Sequence, residues 1–533
     1  MRANRTNARI LLVLAVIATV LVGVALLRAS REGQAPTKPP DLVLITVDTL
    51  RADRIGAQGY AAARTPTVDG LAERGVLFSQ ATTPFPRTTP ALASLHTGLW
   101  PHHHGSREVR QPVVQGKRLA QLLNERGYVS IGVTANSTAG SAVGLHQGFS
   151  HFVDRYDLFM ATAEEVTGQA LALVEQVEPG QQVFLWVHYN DPHWGYDPPA
   201  SWSPLPATNA CSRLRKRSLP NGLVFGNHQG LAAEALEDCS QLYDAEIAYT
   251  DSQIGWLLEG LGEAGRLDGA FVVFAADHGE NLGEAGLFYE HGPSVHDASL
   301  RVPLIITGPG VAEARVDDGV ARLEDVMPTL LALLDVPTAD WPPMDGLDLS
   351  ARLRGDPDAP LETDGPVALA ESGSALFPRQ FDRLVSGRKG GRYCFHGARY
   401  SLCRGYRGKM AFFDHIADPR LHRGIEEAPP DIAEPLAALS RTWAVEGARE
   451  RTARTPTFKL VEYPLAEGGY RRALYDLRAD PAESRDVSAD HPEVVRRLAR
   501  HLEEWTKELP GFEAPDRSEE DLEDLRALGY IGD

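Results

Sequence analysis

Acidic and imidazole side chains follow the ends of several short apolar runs in this 533-residue chain. They are Asp48 after residues 42–47, His188 to His193 after residues 183–187, and Asp277 with His278 after residues 271–276. Continuous apolar runs are typical of strands buried on both faces of a parallel sheet. Ligands bind such sheets at the carboxyl ends of the strands. Any single aspartate here could be a turn or cap residue, but their convergence predicts a metal site.

The chemistry of these side chains narrows the choice of metal. Oxygen and nitrogen ligands without thiolate are typical of sites for Mn, Zn, Mg or Ca. The imidazole group favours a transition metal.

Thr88 is a candidate nucleophile because of the segment Pro86–Gly98, PRTTPALASLHTG. Thr89 is predicted to cap a helix whose first residue is Pro90, so that Thr88 lies just before the helix N-terminus. Free backbone N–H groups there suit a phosphate or sulfate oxyanion. A divalent cation would activate the threonine hydroxyl. Helix capping alone is the alternative interpretation of Thr-Thr-Pro.

Helix-like patterns alternate with the apolar runs between residues 41 and 310. The predicted strands are Leu42–Val47, Val129–Thr134, Val183–Val187, Phe271–Ala276 and Val302–Thr307. The predicted helices lie near 65–72, 119–123 and 238–261. This alternation predicts an α/β fold with a mostly parallel sheet flanked by helices.

The residue pattern changes after about residue 360, where short strand-like segments are separated by turns rich in Gly, Arg and Pro. A final amphipathic helix is predicted near 492–505. We therefore predict an N-terminal segment and linker (1–40), a catalytic α/β domain (41–360) and a smaller C-terminal α+β subdomain with its tail (361–533).

The net charge and the N-terminal residues bear on nucleic-acid binding and on cellular location. The formal net charge is −19, which disfavours general nucleic-acid binding. Residues 10–27 form an apolar run with Arg2, Arg5 and Arg9 before it. This pattern predicts a membrane anchor with the catalytic domain exported to the periplasmic or extracellular side. Cleavage after Ala25, which would release a secreted protein, is the alternative.

The four cysteines are compatible with an exported domain. Four cysteines allow three pairings. We predict the local ones, Cys211–Cys239 and Cys394–Cys403, with free thiols as the alternative. Neither pair has the spacing of a zinc site.

Several motifs in a fixed order resemble the sulfatase-like hydrolases of the alkaline phosphatase superfamily. They are DLVLITVDTLRADRIGAQG at 41–59, the block 86–105, YDAEIAYTDSQIGWLL at 243–258, FAADHGE at 274–280, RVPLII at 301–306 and LYDLRADPAESRDV at 474–487. The resemblance covers roughly residues 41–533. It implies a large, mixed but mostly parallel sheet of the alkaline phosphatase type and a C-terminal subdomain with a small antiparallel sheet.

The resemblance also implies roles for individual residues. Asp48, Asp277 and His278 would bind a divalent metal ion (Mn, Zn or Ca), and Thr88 would be both ligand and nucleophile. His193 would contact the anion or protonate the leaving group. His291 would be a second substrate-contacting residue, with a surface histidine as the alternative. His296 and Asp191 are weaker candidates for a second metal.

The chain departs from the family pattern at the nucleophile. Classical sulfatases carry Cys or Ser in C/S-x-P-x-R and convert it to formylglycine, whereas the matching residues here are Thr88, Pro90 and Leu92. Threonine cannot form that aldehyde, so no formylglycine is expected, and the arginine is missing. Thr49 replaces the second aspartate expected beside Asp48. Threonine nucleophiles occur in the phosphodiesterase, phosphonate hydrolase and phospho-headgroup transferase branches.

Three functions remain open at this point. The first is a metal-dependent hydrolase of phosphate, phosphonate or sulfate esters of a small molecule or glycan. The second is an envelope transferase of phosphoethanolamine or glycerophosphate type, and the third is a non-catalytic scaffold with this fold. The oligomeric state is not predicted by the sequence.

Overall fold

The computed structural model describes most of the chain from residue 39 onward. The described residues are 39–154, 161–212, 233–284, 288–292, 294–355, 367–373, 392–396, 400–405, 410–414, 449–464 and 470–507. The described residues from Asp41 onward form one compact unit. The predicted boundary near residue 360 stays a prediction.

An eight-stranded mixed sheet organises the larger part of this unit. Its strands are β1 (Leu42–Val47), β2 (Gly75–Thr82), β3 (Val129–Thr134), β4 (His151–Val153), β5 (Val183–Tyr189), β6 (Phe271–Ala276), β9 (Leu304–Thr307) and β10 (Arg315–Arg322). The order is β10-β2-β9-β6-β1-β5-β3-β4. Only β9 runs against its neighbours within these described strands. The predicted α/β fold with a mixed, mostly parallel sheet is therefore confirmed.

Helices flank the sheet, and several short helices follow strand ends. They are α1 (Pro66–Glu73), α2 (Thr88–Thr97), α3 (Pro101–His104), α4 (Leu119–Asn124), α5 (Ala163–Val174), α6 (Ala233–Glu263), α7 (Asp297–Leu300), α8 (Val326–Leu333) and α9 (Ser350–Leu353). The central strand β1 is buried along its whole length, from Leu42 to Val47. This burial on both faces explains why its sequence is continuously apolar.

One strand pairing and one helix boundary differ from the predictions or were absent from them. The strands β2 and β10 pair in parallel at one end of the sheet. Their sequences mix polar and apolar residues, so they lack the continuous apolar run that marks the central strands. The helix α2 begins at Thr88 itself, with Arg87 at the N-cap in extended conformation. The prediction that Thr89 caps this helix is therefore wrong by two residues.

Antiparallel sheets occupy the C-terminal part of the chain. The strands β11 (Ala368–Glu371), β15 (Arg451–Arg454), β16 (Phe458–Pro464) and β17 (Tyr470–Asp476) form one sheet. The strands β12 (Arg392–His396), β13 (Tyr400–Gly405) and β14 (Met410–Asp414) form another. A further antiparallel pair, β7 (Asn281–Leu282) and β8 (Phe288–Glu290), follows β6 along the chain.

The helix α10 (Pro492–Thr506) covers the four-stranded sheet. Its residues Val494, Leu498, Leu502 and Trp505 recur every three or four positions, which places them on one face of a helix. They are buried together with Leu460 and other residues of the sheet. The amphipathic pattern of this segment therefore predicted both the helix and its buried face.

One of the two predicted disulfides is present. Cys211 and Cys239 are bonded, in agreement with an oxidising compartment. Cys394 and Cys403 are backbone partners across the pair β12–β13, and their disulfide stays a prediction. No described helix is long and apolar enough to cross a bilayer. The predicted anchor at residues 10–27 lies outside the described residues.

Candidate active site

Asp48 lies at the carboxyl end of the central strand β1, between the ends of β5 and β6. Its side chain is buried. Asn136 donates an amide hydrogen bond to Oδ2 of Asp48 at 3.4 Å. Oδ1 of Asp48 is buried and has no hydrogen-bond partner among the residues that the structure describes.

Asp277 and His278 follow the adjacent parallel strand β6, which brings them beside Asp48. Oδ1 of Asp277 accepts hydrogen bonds from the backbone N–H groups of His278 and Thr49. Its other oxygen, Oδ2, is buried and accepts no hydrogen bond within the described part of the chain. Nε2 of His278 lies 3.6 Å from Oδ1 of Asp48 and 3.5 Å from Oδ2 of Asp277. We call Asp48, Asp277 and His278 the carboxylate cluster.

The electrostatics of the carboxylate cluster are unfavourable in the protein alone. Burial, followed by the charge of Glu280, raises the pKa of Asp48 well above its usual range. Burial, followed by the charge of Asp48, does the same to the pKa of Asp277. Burial lowers the pKa of His278 to about 3, so the ring is neutral. Two adjacent buried carboxylates repel each other unless a positive charge offsets them.

A divalent cation fits this donor set. Candidate ligand atoms of the three residues all lie within 4.8 Å of one another. Nδ1 of His278 lies 3.0 Å from the carbonyl oxygen of Gly279 and must donate to it, since a carbonyl only accepts. The lone pair of the neutral ring therefore lies on Nε2, which faces the carboxylates. The unpaired oxygens of Asp48 and Asp277 complete a set of ligands typical of Mn or Zn.

Thr88 places its hydroxyl at the edge of the carboxylate cluster. Oγ1 of Thr88 lies 3.5 Å from Oδ2 of Asp48 and 3.4 Å from Nε2 of His278. Thr88 is the first residue of α2, so the free N–H groups of this helix end lie close to the hydroxyl. The hydroxyl of the neighbouring Thr89 instead donates to the carbonyl of Thr138 at 2.7 Å.

Two further histidines stand beside His278. The ring centroid of His291 lies 4.4 Å from that of His278 and 5.1 Å from that of His193. Nδ1 of His291 lies 3.3 Å from a carboxylate oxygen of Glu280. Only 3% of His291 is exposed, so it is not a surface histidine. The structure therefore brings all six predicted site residues into one buried neighbourhood.

Two polar side chains of this neighbourhood were missed by the sequence analysis. Asn136 follows strand β3 and bridges Asp48 and Asn190, with its amide nitrogen 2.9 Å from Oδ1 of Asn190. The strand-end rule that found Asp48 also applies to Asn136. Arg87, directly before Thr88, is completely buried, and its charge contributes to lowering the pKa values of His193, His278 and His291.

The weaker candidates do not join the carboxylate cluster. Asp191 accepts a hydrogen bond from the backbone of Ala163. His296 forms an ion pair with Glu483 and contacts the hydroxyl of Tyr463. Within the described residues the possible metal group contains neither of them.

The polar sequence of His102–His104, which follows Trp100-Pro101, predicts a solvated turn, with metal binding as the alternative. The structure differs, because His102 and His104 belong to the short helix α3 and are buried.

Comparison with known proteins identifies the family. The family model described as Sulfatase matches residues 40–336. The chain is 25% identical over 376 residues to an arylsulfatase of Clostridium perfringens, which covers 58% of this chain and 77% of the relative. It is also 25% identical over 415 residues to an ulvan-active sulfatase of Formosa agariphila, covering 72% of this chain and 76% of the relative.

Solved structures share the fold. The phosphonate monoester hydrolase of Agrobacterium radiobacter superposes with a TM-score of 0.62 and 20% identity. The alignment covers 89% of this chain and 96% of that enzyme.

Proposed function

This chain belongs to the sulfatase family, a family of sulfuric and phosphoric ester hydrolases, and we propose that it cleaves phosphate, phosphonate or sulfate esters through Thr88. Enzymes with this fold are metal-dependent. The observation that carries the proposal is the position of the Thr88 hydroxyl, 3.5 Å from Asp48 and 3.4 Å from His278. A hydroxyl at the edge of a metal-ligand set is suited to act as a nucleophile.

The proposed metal ligands are Asp48, Asp277 and His278, with Thr88 beside them. When bound, a divalent cation supplies positive charge that lowers the pKa of the threonine hydroxyl and offsets charge on the ester oxygens. The chain itself supplies ligand orientation, since hydrogen bonds to Gly279, Asn136 and Thr49 fix the three side chains.

The first chemical step transfers the acid group to the threonine. Thr88 releases its hydroxyl proton to solvent, and Oγ1 forms a bond to phosphorus or sulfur while the bond to the alcohol oxygen breaks. The alcohol leaves with a proton from His193. Water then attacks the threonine ester, which releases the acid and restores the hydroxyl.

His193 needs the substrate to become a proton donor. Burial, with a smaller contribution from the charge of Arg87, lowers the pKa of His193 to about 4, so the ring is neutral in the free protein. An ester anion beside the ring favours its protonated form. His193 is therefore prepared for proton donation when the substrate binds.

An assay with four p-nitrophenyl esters tests the proposal. The full-length chain is stripped of metal, reloaded with Mn, Zn, Ca or Mg, and assayed on the sulfate, phosphate monoester, phosphate diester and phosphonate monoester. Turnover of at least one ester is expected with Mn or Zn. The Thr88→Ala variant should lose at least about 10⁴-fold in turnover. Thr89→Ala is the matched control, because its hydroxyl bonds to Thr138 instead of the carboxylate cluster.

Turnover by Thr88→Ala would contradict the nucleophile assignment. Trapping the threonine ester by rapid acid quench and locating it by mass spectrometry gives a second, independent test. The transferase alternative predicts transfer to an added acceptor alcohol, and it is not favoured because the relatives named above are hydrolases.

Export of the catalytic domain is also part of the proposal. The Cys211–Cys239 disulfide supports it, and anchoring through residues 10–27 remains a prediction. A glycan or small-molecule ester is the proposed substrate, in keeping with the named activities of the two sulfatase relatives.

A further inference from the structure

Arg87 is the residue directly before the proposed nucleophile, and its side chain is as deeply buried as that of Thr88. Both have 0% exposure. Arg87 occupies the N-cap of α2 with φ −153° and ψ 144°, so the chain is extended where it enters the helix. Burying a guanidinium has a large desolvation cost. A buried arginine beside a reactive hydroxyl therefore calls for a specific explanation.

Two glycines make room for the guanidinium group. A Cβ atom placed on Gly292 would lie 2.3 Å from Cζ and 2.4 Å from Nε of Arg87. A Cβ on Gly373 would lie 3.0 Å from the same Nε. The N–H of Gly373 donates to the carbonyl of Gly292 at 2.8 Å, which holds the two glycines together. Larger residues at either position would displace the guanidinium.

The position of Gly292 places this guanidinium close to the histidines of the site. Gly292 directly follows His291, whose ring lies 4.4 Å from the ring of His278. The charge of Arg87 acts on His193, His278 and His291 alike. The positive charge therefore lies in the same buried neighbourhood as the Thr88 hydroxyl.

The family pattern has an arginine four residues after the nucleophile, where this chain has Leu92. Leu92 is completely buried in the apolar core with residues such as Ala91 and Leu95, so it cannot contact an anion. Arg87 lies one residue before the nucleophile instead.

We infer that Arg87 is a catalytic residue that donates hydrogen bonds to two non-bridging oxygens of the ester anion attacked by Thr88. The planar guanidinium is suited to bidentate contact with a tetrahedral oxyanion. Contact of this kind strengthens as negative charge develops on those oxygens during the transfer. The inference takes the location of the ester from the proposed function. It also gives Gly373, from the C-terminal part of the chain, a role in positioning the Arg87 guanidinium.

Anion binding without turnover is the first test. The metal-loaded, full-length Thr88→Ala variant is titrated with inorganic phosphate and with inorganic sulfate by calorimetry. Adding Arg87→Lys should weaken binding at least about 10-fold, because lysine keeps the charge but loses the planar pair of donors. Adding Arg107→Lys is the matched control, since Arg107 is a buried arginine that is ion-paired with Glu371. Anion affinity left unchanged by Arg87→Lys, compared at equal metal content, would overturn the inference.

Kinetics in the presence of Thr88 give the second test. Arg87→Lys should lower kcat/KM for the best ester by about 10²–10³-fold, as for loss of an oxyanion donor. Gly373→Ala should lower kcat/KM to a smaller extent, by shifting the guanidinium, with metal content and melting temperature near those of wild type. Loss of bound metal or of folding in Arg87→Lys, with normal anion affinity in the molecules that remain folded and loaded, would assign Arg87 a purely structural role.

The two hypotheses fail in different ways. Activity in Thr88→Ala would contradict the nucleophile, while the phosphate and sulfate titrations would still report on Arg87. Unchanged anion affinity in Arg87→Lys would contradict the inference and leave the nucleophile intact.

Discussion

Two groups of carboxylates with little solvent exposure differ in how their charge is balanced in this protein. The carboxylate cluster has no ion pair to lysine or arginine among the described residues, and only His278 and His188 lie within ion-pair distance. Asp297, in contrast, lies 2.9 Å from Nη2 of Arg454 and 2.8 Å from Nζ of Lys459. We call Asp297, Glu483, Arg454 and Lys459 the paired network.

The pKa shifts of the two groups run in opposite directions. Burial raises the pKa of Asp48 and Asp277. Burial also acts on Asp297, but Arg454 and Lys459 outweigh it and hold the pKa of Asp297 well below its usual range. Burial alone therefore does not mark a functional site. What distinguishes the carboxylate cluster is buried negative charge that forms no ion pair with lysine or arginine in the described part of the chain.

Removing charge from the carboxylate cluster should have the largest effect on activity. Asp48→Asn deletes a proposed metal ligand, so turnover should fall by more than about 100-fold. That value is the upper end of the loss caused by removing residues that only hydrogen-bond to metal ligands. Steady-state assays at saturating metal measure this. The same change relieves repulsion with Asp277, so the metal-free protein should be as stable as wild type or more so in urea. A less stable metal-free Asp48→Asn protein would contradict the view that the cluster is electrostatically strained.

Removing charge from the paired network should lower stability and leave turnover nearly unchanged. Asp297→Asn leaves Arg454 without its carboxylate partner and leaves Lys459 paired with Glu483 alone. Breaking a buried pair in this way costs about 3–5 kcal/mol. Urea denaturation should show this loss, while turnover per folded molecule stays near wild type. Asp53→Asn is the control, because its ion pair with Arg51 is half exposed at Asp53 and surface pairs contribute about 0–1 kcal/mol.

Metal binding should stabilise the protein only through the carboxylate cluster. At a free metal concentration of about 100 Kd, the free energy of unfolding should rise by about 2.7 kcal/mol. Asp297→Asn should keep this increment and Asp48→Asn should lose most of it. Thermal denaturation with and without a chelator measures both. Equal increments in the two variants would place the metal elsewhere.

Acid should destabilise the protein through a buried histidine that belongs to neither group. Burial lowers the pKa of His96 to about 3, so the folded state stays neutral while the unfolded chain takes up a proton below about 6.5. Stability from this residue is present above about pH 6.5 and is lost as the pH falls toward about 3, by at most about 1.4 kcal/mol per pH unit.

His96→Phe isolates this effect, because His96 packs against Trp186 with ring centroids 4.2 Å apart. Urea denaturation at about pH 7.5 and about pH 5 should show a smaller loss of stability in this variant than in wild type. An identical loss in both proteins would assign the acid sensitivity to other groups.

The sequence predicted those parts of the site that follow a simple rule of topology. Asp48, Asp277 and His278 were found because continuous apolar runs mark buried parallel strands, whose carboxyl ends meet at one edge. The same rule predicts Asn136, which was overlooked. It does not apply to β2 and β10, because strands near the sheet's edge need not be apolar on both faces.

Polar residues that become buried were the main source of error. The triplet His102–His104 was predicted to be solvated, yet Trp100 and Trp505 pack around His102. Trp505 comes from α10, near the other end of the chain. No local pattern reveals that a distant helix will exclude water from a polar segment.

The sequence by itself determined the sheet's core, the acidic and histidine side chains at the strand ends and the threonine beside a helix start, because each depends on local order along the chain. Only the tertiary structure decided which charges are balanced. Asp297 finds Arg454 and Lys459 across more than 150 residues, whereas Asp277, a short distance before it in the sequence, finds neither. The position of the Arg87 side chain likewise depends on the space left by Gly292 and Gly373. Electrostatic energy depends on distance and burial in space, and neither can be read from the order of residues alone.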